Sequence, residues 1–302
     1  MRCTALFSTL LLLGTPAIAG DIDEGVDGDL SGDRLNPTVL NLTVGSNTVL
    51  ASQQGADSGL DVDYLTVVVP AGTQLARLDC TSYSAVDGNS NLAFLGVQAG
   101  STFTTDAATT KASDLLGGTV YGFFSPGTDM LPTVGSLSGT TGFVPPLPEG
   151  SYTWWFNQTG EQSTVGLDFV LEGAIGTSYC SSTSNSSGQA ATLQLIGSPS
   201  AADDSLTLEA SGLPTGTPGL FFFGPNQTQV PFGNGLRCVG GSIQRIQPPG
   251  FAPASGVVRR SVSPAGLGLS AGTTVNFQYW FRDPAAGGAG FDLSDGVSLT
   301  LL

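Results

Sequence analysis

Six carboxylates fall within thirteen residues at Asp21, Asp23, Glu24, Asp27, Asp29 and Asp33. Oxygen donors at that density suit a hard cation, and calcium in particular, which takes oxygen ligands alone. Asp27, Asp29, Ser31 and Gly32 reproduce the first half of the D-x-[DN]-x-[DN]-G calcium loop. The second half departs from it. The twelfth position is Thr38 in place of the bidentate glutamate, Pro37 stands beside it, and no helical pattern flanks the run. The stretch is therefore not an EF-hand, and two readings stay open. In one, it is a solvated acidic leader that its own repulsion keeps mobile when no cation is present. In the other, Asp21, Asp23, Asp27, Asp29, Ser31 and Asp33 wrap a calcium ion with carboxylates of the folded domain such as Asp61 and Asp63. The affinity expected is modest, on the order of 10⁻⁴–10⁻³ M as in extracellular modules.

A second group of candidates is aromatic. Strand alternation in SYTWWFN places Tyr152, Trp154 and Phe156 on one face, and Ser151, Thr153, Trp155 and Asn157 on the other. In TTVNFQYWFRD the same alternation buries Val275, Phe277, Tyr279 and Phe281, and turns Thr274, Asn276, Gln278, Trp280 and Arg282 outward. Each half of the chain thus carries one tryptophan on the polar face of a late strand. An exposed ring costs on the order of 2 kcal/mol relative to burial, so each needs a reason. Either Trp155 and Trp280 form stacking platforms, with Asn157, Gln278 and Arg282 supplying hydrogen bonds to a sugar or partner, or each is covered. The covers expected are VPPLPEG, DPAAGGAG or the other domain.

Other chemistry is poorly supplied. The chain has no histidine, which removes the commonest general base and transition-metal ligand. GLSAG matches the nucleophile-elbow pattern around Ser270, but it precedes a strand and has no histidine partner, so Ser270 reads as a turn residue. No C-x-x-C spacing occurs, and PFGNGLRCVGG and DPAAGGAG read as turns and a disulfide-tethered loop, not as phosphate cradles. A carboxylate-pair hydrolase stays open because it needs two acids alone.

The elements that must hold these residues are strands. Short alternating runs such as YLTVVV, LAFLGV, GLDFVL, ATLQLIG, SLTLEA and LFFFG are separated by Gly, Pro, Asn and Asp clusters. KASDLLG alone suggests a turn or two of helix. The pattern predicts an all-β chain of two antiparallel, jelly-roll-like β-sandwich domains. Residues 1–19 read as a signal peptide, from Arg2, an apolar run too short to span a bilayer, and the small-x-small site Ala17-Ile18-Ala19. The boundaries expected are an acidic leader over 20–36, a first domain over 37–172 and a second over 173–302. Of the three cysteines beyond the leader, Cys180 and Cys238 share the second half and are the expected disulfide. Cys80 alternates inward with Ala76 and Leu78 as a small buried side chain, an intermolecular bridge being its other reading. Residues 21–172 hold 18 acidic and three basic side chains, and 173–302 six and five. A surface of that sign repels nucleic acid and anionic lipid.

In the first half, GLDVDYLTVVVPAGTQLARL and the later PEGSYTWWFNQTGEQSTVGLDFVLE resemble the bacterial pre-peptidase C-terminal domain. The shared marks are D-x-D-[YF] leading into a strand, a V-P-A-G-T turn and a late P-x-G-x-Y strand, over roughly residues 36–172. The resemblance implies a jelly-roll-like sandwich of the kind appended to secreted enzymes and surface proteins, some of which bind calcium or a matrix polymer. The second half resembles an uncharacterised C-terminal module of bacterial exported proteins. It does so through YCSSTSNSSG, GLFFFGPNQTQVPFGNGLRCVGG and FQYWFRDPAAGGAGFDLSD, from Tyr179 to Asp295.

The expectation is an exported, non-catalytic protein that works outside the cell or at its surface. It binds a cell-surface or matrix polysaccharide or a protein, with calcium as the candidate ion, and has neither a nucleic-acid partner nor a membrane span. The alternatives are a structural matrix, coat or appendage subunit and a secreted hydrolase accessory domain pair.

Overall fold

A computed structural model describes residues 18–55, 61–86, 88, 91–203 and 205–302. The apolar run of the expected signal peptide, residues 1–17, lies outside them. Among the described residues the fold is almost entirely β, with helix confined to short pieces such as Glu24–Asp27 and Leu131–Gly135. KASDLLG supplies a single 3₁₀ turn, Ala112–Asp114.

The chain divides into two compact units. One runs to Pro70 and resumes with Arg77–Val170, and the other comprises Ala71–Ala76 and Leu171–Leu302. Two features depart from the sequence reading. The acidic stretch is no detached leader. Ile22 and Leu30 are buried, Ile22–Asp23 pairs in parallel with Val49 and Leu50, and Ser31 bridges to Tyr64. Two apolar anchors spaced along an acidic run suffice to dock it. Nor does V-P-A-G-T break the chain, because the strand Asp63–Ala85 continues through it, with Gly72 at φ +75°. Glycine accepts that left-handed backbone without steric cost, so the strand bends and does not end.

Among the described residues, the strands of the first unit form one ten-stranded sheet. Most of its pairs are antiparallel, but Thr38–Asn41 runs parallel to the start of Asp63–Ala85. Leu65, Val67, Trp154, Phe156, Val165 and Phe169 are buried, and the Trp154 ring meets Phe169 edge-on at 5.5 Å. Cys80 is buried with them, and desolvation pushes its thiol up to about 11.

In the second unit a four-stranded sheet, Ala174–Ile175, Thr192–Gly197, Leu206–Ser211 and Val258–Val262, faces a six-stranded one. Pro218–Gly224, Thr274–Arg282 and Phe291–Thr300 form the middle of the latter. The core between them joins Leu193, Leu195 and Leu208 to Phe221, Phe223, Phe277, Phe281 and Val297. PFGNGLRCVGG is no loop. It forms most of a β-hairpin, Asn226–Phe232 with Gly235–Gly240, that turns at Gly233 and Asn234. Gly233 has φ +68°, and a Cβ there would strike the Phe291 ring at 2.2 Å.

Candidate functional sites: a carboxylate cluster and an aromatic cleft

The acidic stretch resolves into residues that shape the backbone and residues that converge. Asp23 caps the Glu24–Asp27 turn by accepting the Gly25 N–H at 2.9 Å. Asp27 accepts the Asp23 N–H at 2.9 Å. Asp21 accepts the Thr48 N–H, a bond that holds its carboxyl below the usual range. Asp33 takes the Leu35 N–H and the Asn36 amide, and it too is lowered by these bonds. The Ser31 hydroxyl donates to the Asn36 carbonyl at 2.7 Å. These five residues of the acidic stretch thus serve turns and caps; of the expected calcium ligands, Asp29 and, from the folded domain, Asp63 stand in the cluster.

That cluster is Glu24, Asp29 and Asp63, which bring one carboxylate oxygen each within 4.8 Å of one another. The backbone dictates the meeting. The short turn after Ile22–Asp23 presents Glu24, whose two oxygens accept the N–H groups of Leu30 and Ser52. Buried Leu30 and the Ser31–Tyr64 bridge then set Asp29 beside the first residue of the long strand, Asp63. Asp63 is fully buried, and neither of its carboxylate oxygens has a hydrogen-bond partner. Desolvation, then the charges of Glu24, Asp61 and Asp29, raise it to about 9. Desolvation likewise raises Glu24 to about 7, and Asp61 is raised by burial and by Asp29.

Three acids so placed either share protons or surround a cation. The spacing suits calcium, since two ligands each about 2.4 Å from an ion lie at most about 4.8 Å apart. Glu24 escaped the sequence reading because it sits off the D-x-D-x-S register. The signal that could have found it is its place in the first turn after a buried Ile22.

The tryptophans part company. Alternation does turn Trp155 away from Trp154, yet Trp155 is only 6% exposed. Tyr64, Phe103 and Leu115 enclose it, and the Phe94 and Phe103 rings each lie 5.6 Å from its ring. The cover is the connection between Ala93–Ala99 and Gly117–Tyr121, not VPPLPEG. Trp155 is no platform, because no face of its ring is left for a ligand. Asn157, on the same strand face, is half-buried.

Trp280 stands opposite Leu220 and Leu293 on the outer face of the six-stranded sheet and is half-buried. It meets the Phe291 ring at 5.8 Å. The hairpin folds over this face and makes a second small core of Phe222, Val239 and Leu293. Two clips hold it there. Cys238 is disulfide-bonded to Cys180, with Cα atoms 6.1 Å apart. Gln278 is fully buried, accepts the Cys238 N–H at 2.9 Å, and donates to the Leu236 and Ser294 carbonyls at 2.8 and 2.7 Å. Buried, with both amide N–H groups donated and its oxygen accepting, Gln278 is a structural clip and not the contact residue expected. Arg282 is exposed at the strand end. Between hairpin and sheet a cleft of about 830 Å³ remains, lined by Phe222, Phe232, Arg237, Arg245, Trp280 and Phe291 among others.

Ser270 lies in an exposed turn, its carbonyl accepting the Thr273 N–H. No helix among the described residues is long and apolar enough to cross a membrane.

No protein-family model matches the chain, and no curated protein matches it. Among solved structures it is similar to a tetra-tandem repeat in the extending region of a large adhesion protein. The likeness has 10% identity and a TM-score of 0.24, and covers 85% of this chain and 57% of that one. The chain therefore spans little more than half the length of that structure.

Proposed function

We propose that this is an exported, non-catalytic binding protein of the cell exterior, whose first unit is a calcium-stabilised scaffold. The observation that carries the reading is Asp63, a fully buried carboxylate with no hydrogen-bond partner, converging with Glu24 and Asp29. A buried charge without a partner is expensive enough that it is normally neutralised by a proton or a cation. Calcium bound here ties the acidic stretch to the strand that begins at Asp63. The Cys180–Cys238 disulfide suits an oxidising compartment. The resemblance of the first half to pre-peptidase C-terminal domains, some of which bind calcium, points the same way.

Thermal unfolding in calcium against chelator tests it. With a dissociation constant on the order of 10⁻⁴–10⁻³ M, calcium at about 10 mM adds roughly 1.5–3 kcal/mol. That corresponds to roughly 3–10 °C in Tm. Asp63→Asn abolishes the shift. An unchanged midpoint in the parent protein overturns the calcium reading.

A second reading, an assembling coat or matrix subunit, is favoured by one patch. Phe123 and Phe124 are more than half exposed beside Leu92 and Val120, next to Gly117–Tyr121 at the end of the sheet. Terminal strands with apolar neighbours invite pairing with another copy. Light scattering decides it: higher assemblies that Phe123→Ser with Phe124→Ser dissolves support the subunit, and a monomer excludes it.

A further inference from the structure

The cleft beneath the hairpin has a composition that selects its ligand. Its walls are apolar, with the rings of Phe222, Phe232, Trp280 and Phe291, and its volume of about 830 Å³ falls within the usual range for small-molecule sites, roughly 300–1,000 Å³. Its charged lining residues are both arginines. Arg245 is exposed at the margin, while Arg237 is half-buried, with its guanidinium 5.7 Å from the centre of the Phe232 ring and its Nε–H buried without a partner.

Of the other cations in this unit, Arg282 is exposed at its strand end and two are engaged. Arg259 pairs with Glu209, and Arg260 donates to the carbonyls of Gln247 and Pro248. No carboxylate lines the cleft. In a chain of formal charge −15, two guanidiniums facing an apolar cleft with no acid beside them leave a place for an anion from outside. Guanidinium matches the two oxygens of a carboxylate in a planar fork. A neutral sugar is the poorer match, because it needs amide and carboxylate partners for its hydroxyls and the amide of Gln278 is already spent.

We infer that the cleft binds a small amphipathic carboxylate, its aliphatic or aromatic body lying against Trp280 and Phe222 and its head group meeting Arg237 and Arg245. The inference rests on reading the chain as a binding protein, but not on calcium.

The experiment is isothermal titration of the full disulfide-bonded protein with decanoate, with decanol as the neutral match, each in calcium and in chelator. Tryptophan fluorescence is followed in parallel. The expected result is saturable one-to-one binding of decanoate, perturbed tryptophan emission, and about tenfold weaker binding of decanol, the scale of one charge-assisted hydrogen bond. Arg245→Gln, at an exposed position, weakens decanoate severalfold and leaves decanol unchanged. Trp280→Ala weakens both ligands. Equal affinity for decanoate and decanol, or an Arg245→Gln variant that binds decanoate as the parent does, overturns the inference. So does a concentration-dependent dimer that Arg245→Gln dissolves, with no decanoate uptake, since it assigns the cleft to a second copy. Loss of the calcium shift in Tm with decanoate binding intact would sink the calcium reading alone.

Discussion

The two units solve one problem in two ways. Each carries a tryptophan on the outward face of a late strand, and each sends a segment of chain over it. In the first unit the covering connection brings Phe103 and Leu115, which with Tyr64 and Phe94 leave Trp155 only 6% exposed. In the second the cover is a hairpin, itself a rigid ribbon, held at Cys238 by a disulfide and by Gln278. A ribbon pinned near one point seals what lies beneath the pin and stands off elsewhere, so Trp280 keeps an open cleft beside it. A loop collapses onto its aromatic ring, whereas a hairpin keeps its own pairing and leaves space. Similar strand patterns thus produce sealed core in one case and an open cleft in the other, according to what connects the strands.

Substitution of the two rings is the sharpest way to break this contrast. Trp155→Ala removes a sealed core ring and costs about 3–5 kcal/mol, measured by urea unfolding of the first unit. Trp280→Ala costs about 1–2 kcal/mol, because the ring is only half-buried and its loss relieves part of its exposure. Equal costs would erase the distinction between core and cleft. Next in size is the hairpin clip. Cys180→Ser with Cys238→Ser costs about 2–4 kcal/mol, read as a lower Tm for the second unit, with the calcium response of the first unit untouched. A variant of unchanged Tm shows that Gln278 and the apolar contacts hold the hairpin alone.

The cluster responds to pH in a fixed direction. Asp63 near 9 and Glu24 near 7 hold protons in the fold that the unfolded chain releases near pH 4. The metal-free fold binds more protons than the unfolded chain between those values, so this contribution is fully present below about pH 4 and is lost as pH rises toward 9. Calcium takes the place of the protons. The calcium-induced rise in Tm therefore grows from about pH 5 to pH 8, by roughly twofold or more, as melts at the two values will show. A shift of equal size at both places the ion elsewhere. The smallest effect belongs to Asp33→Asn, which alters a turn outside the cluster and leaves the calcium shift in Tm unchanged.

Much of this was legible beforehand. The outward placement of Trp280 with Asn276 and Gln278, and the inward placement of Phe277, Tyr279 and Phe281, follow from the strand period of two. Cys180 and Cys238, which share one half of the chain, are bonded. The covers were not legible, because the segments that form them carry no strand signal of their own at Thr104 or Asp106, and because Gly233 and Asn234 read as loop when they are the turn of a ribbon. The carboxylate set was half legible. Asp29 lies in the calcium-like register and Asp63 was expected as a partner from the folded domain, but the acidic run also nominated Asp21, Asp23, Asp27, Ser31 and Asp33, which the backbone uses in turns and caps.

By itself the amino-acid order determined the all-β class, the face on which each strand residue lies and the abundance of oxygen donors near Asp27, because each depends on neighbours a few bonds away. The tertiary structure alone decided that Glu24, Asp29 and Asp63 meet, that Trp155 is sealed and that Arg237 and Arg245 share a cleft with Trp280. Those meetings join side chains far apart along the chain, and only the docking of Ile22 and Leu30, the connection that carries Phe103 and Leu115, and the hairpin bring their backbones together.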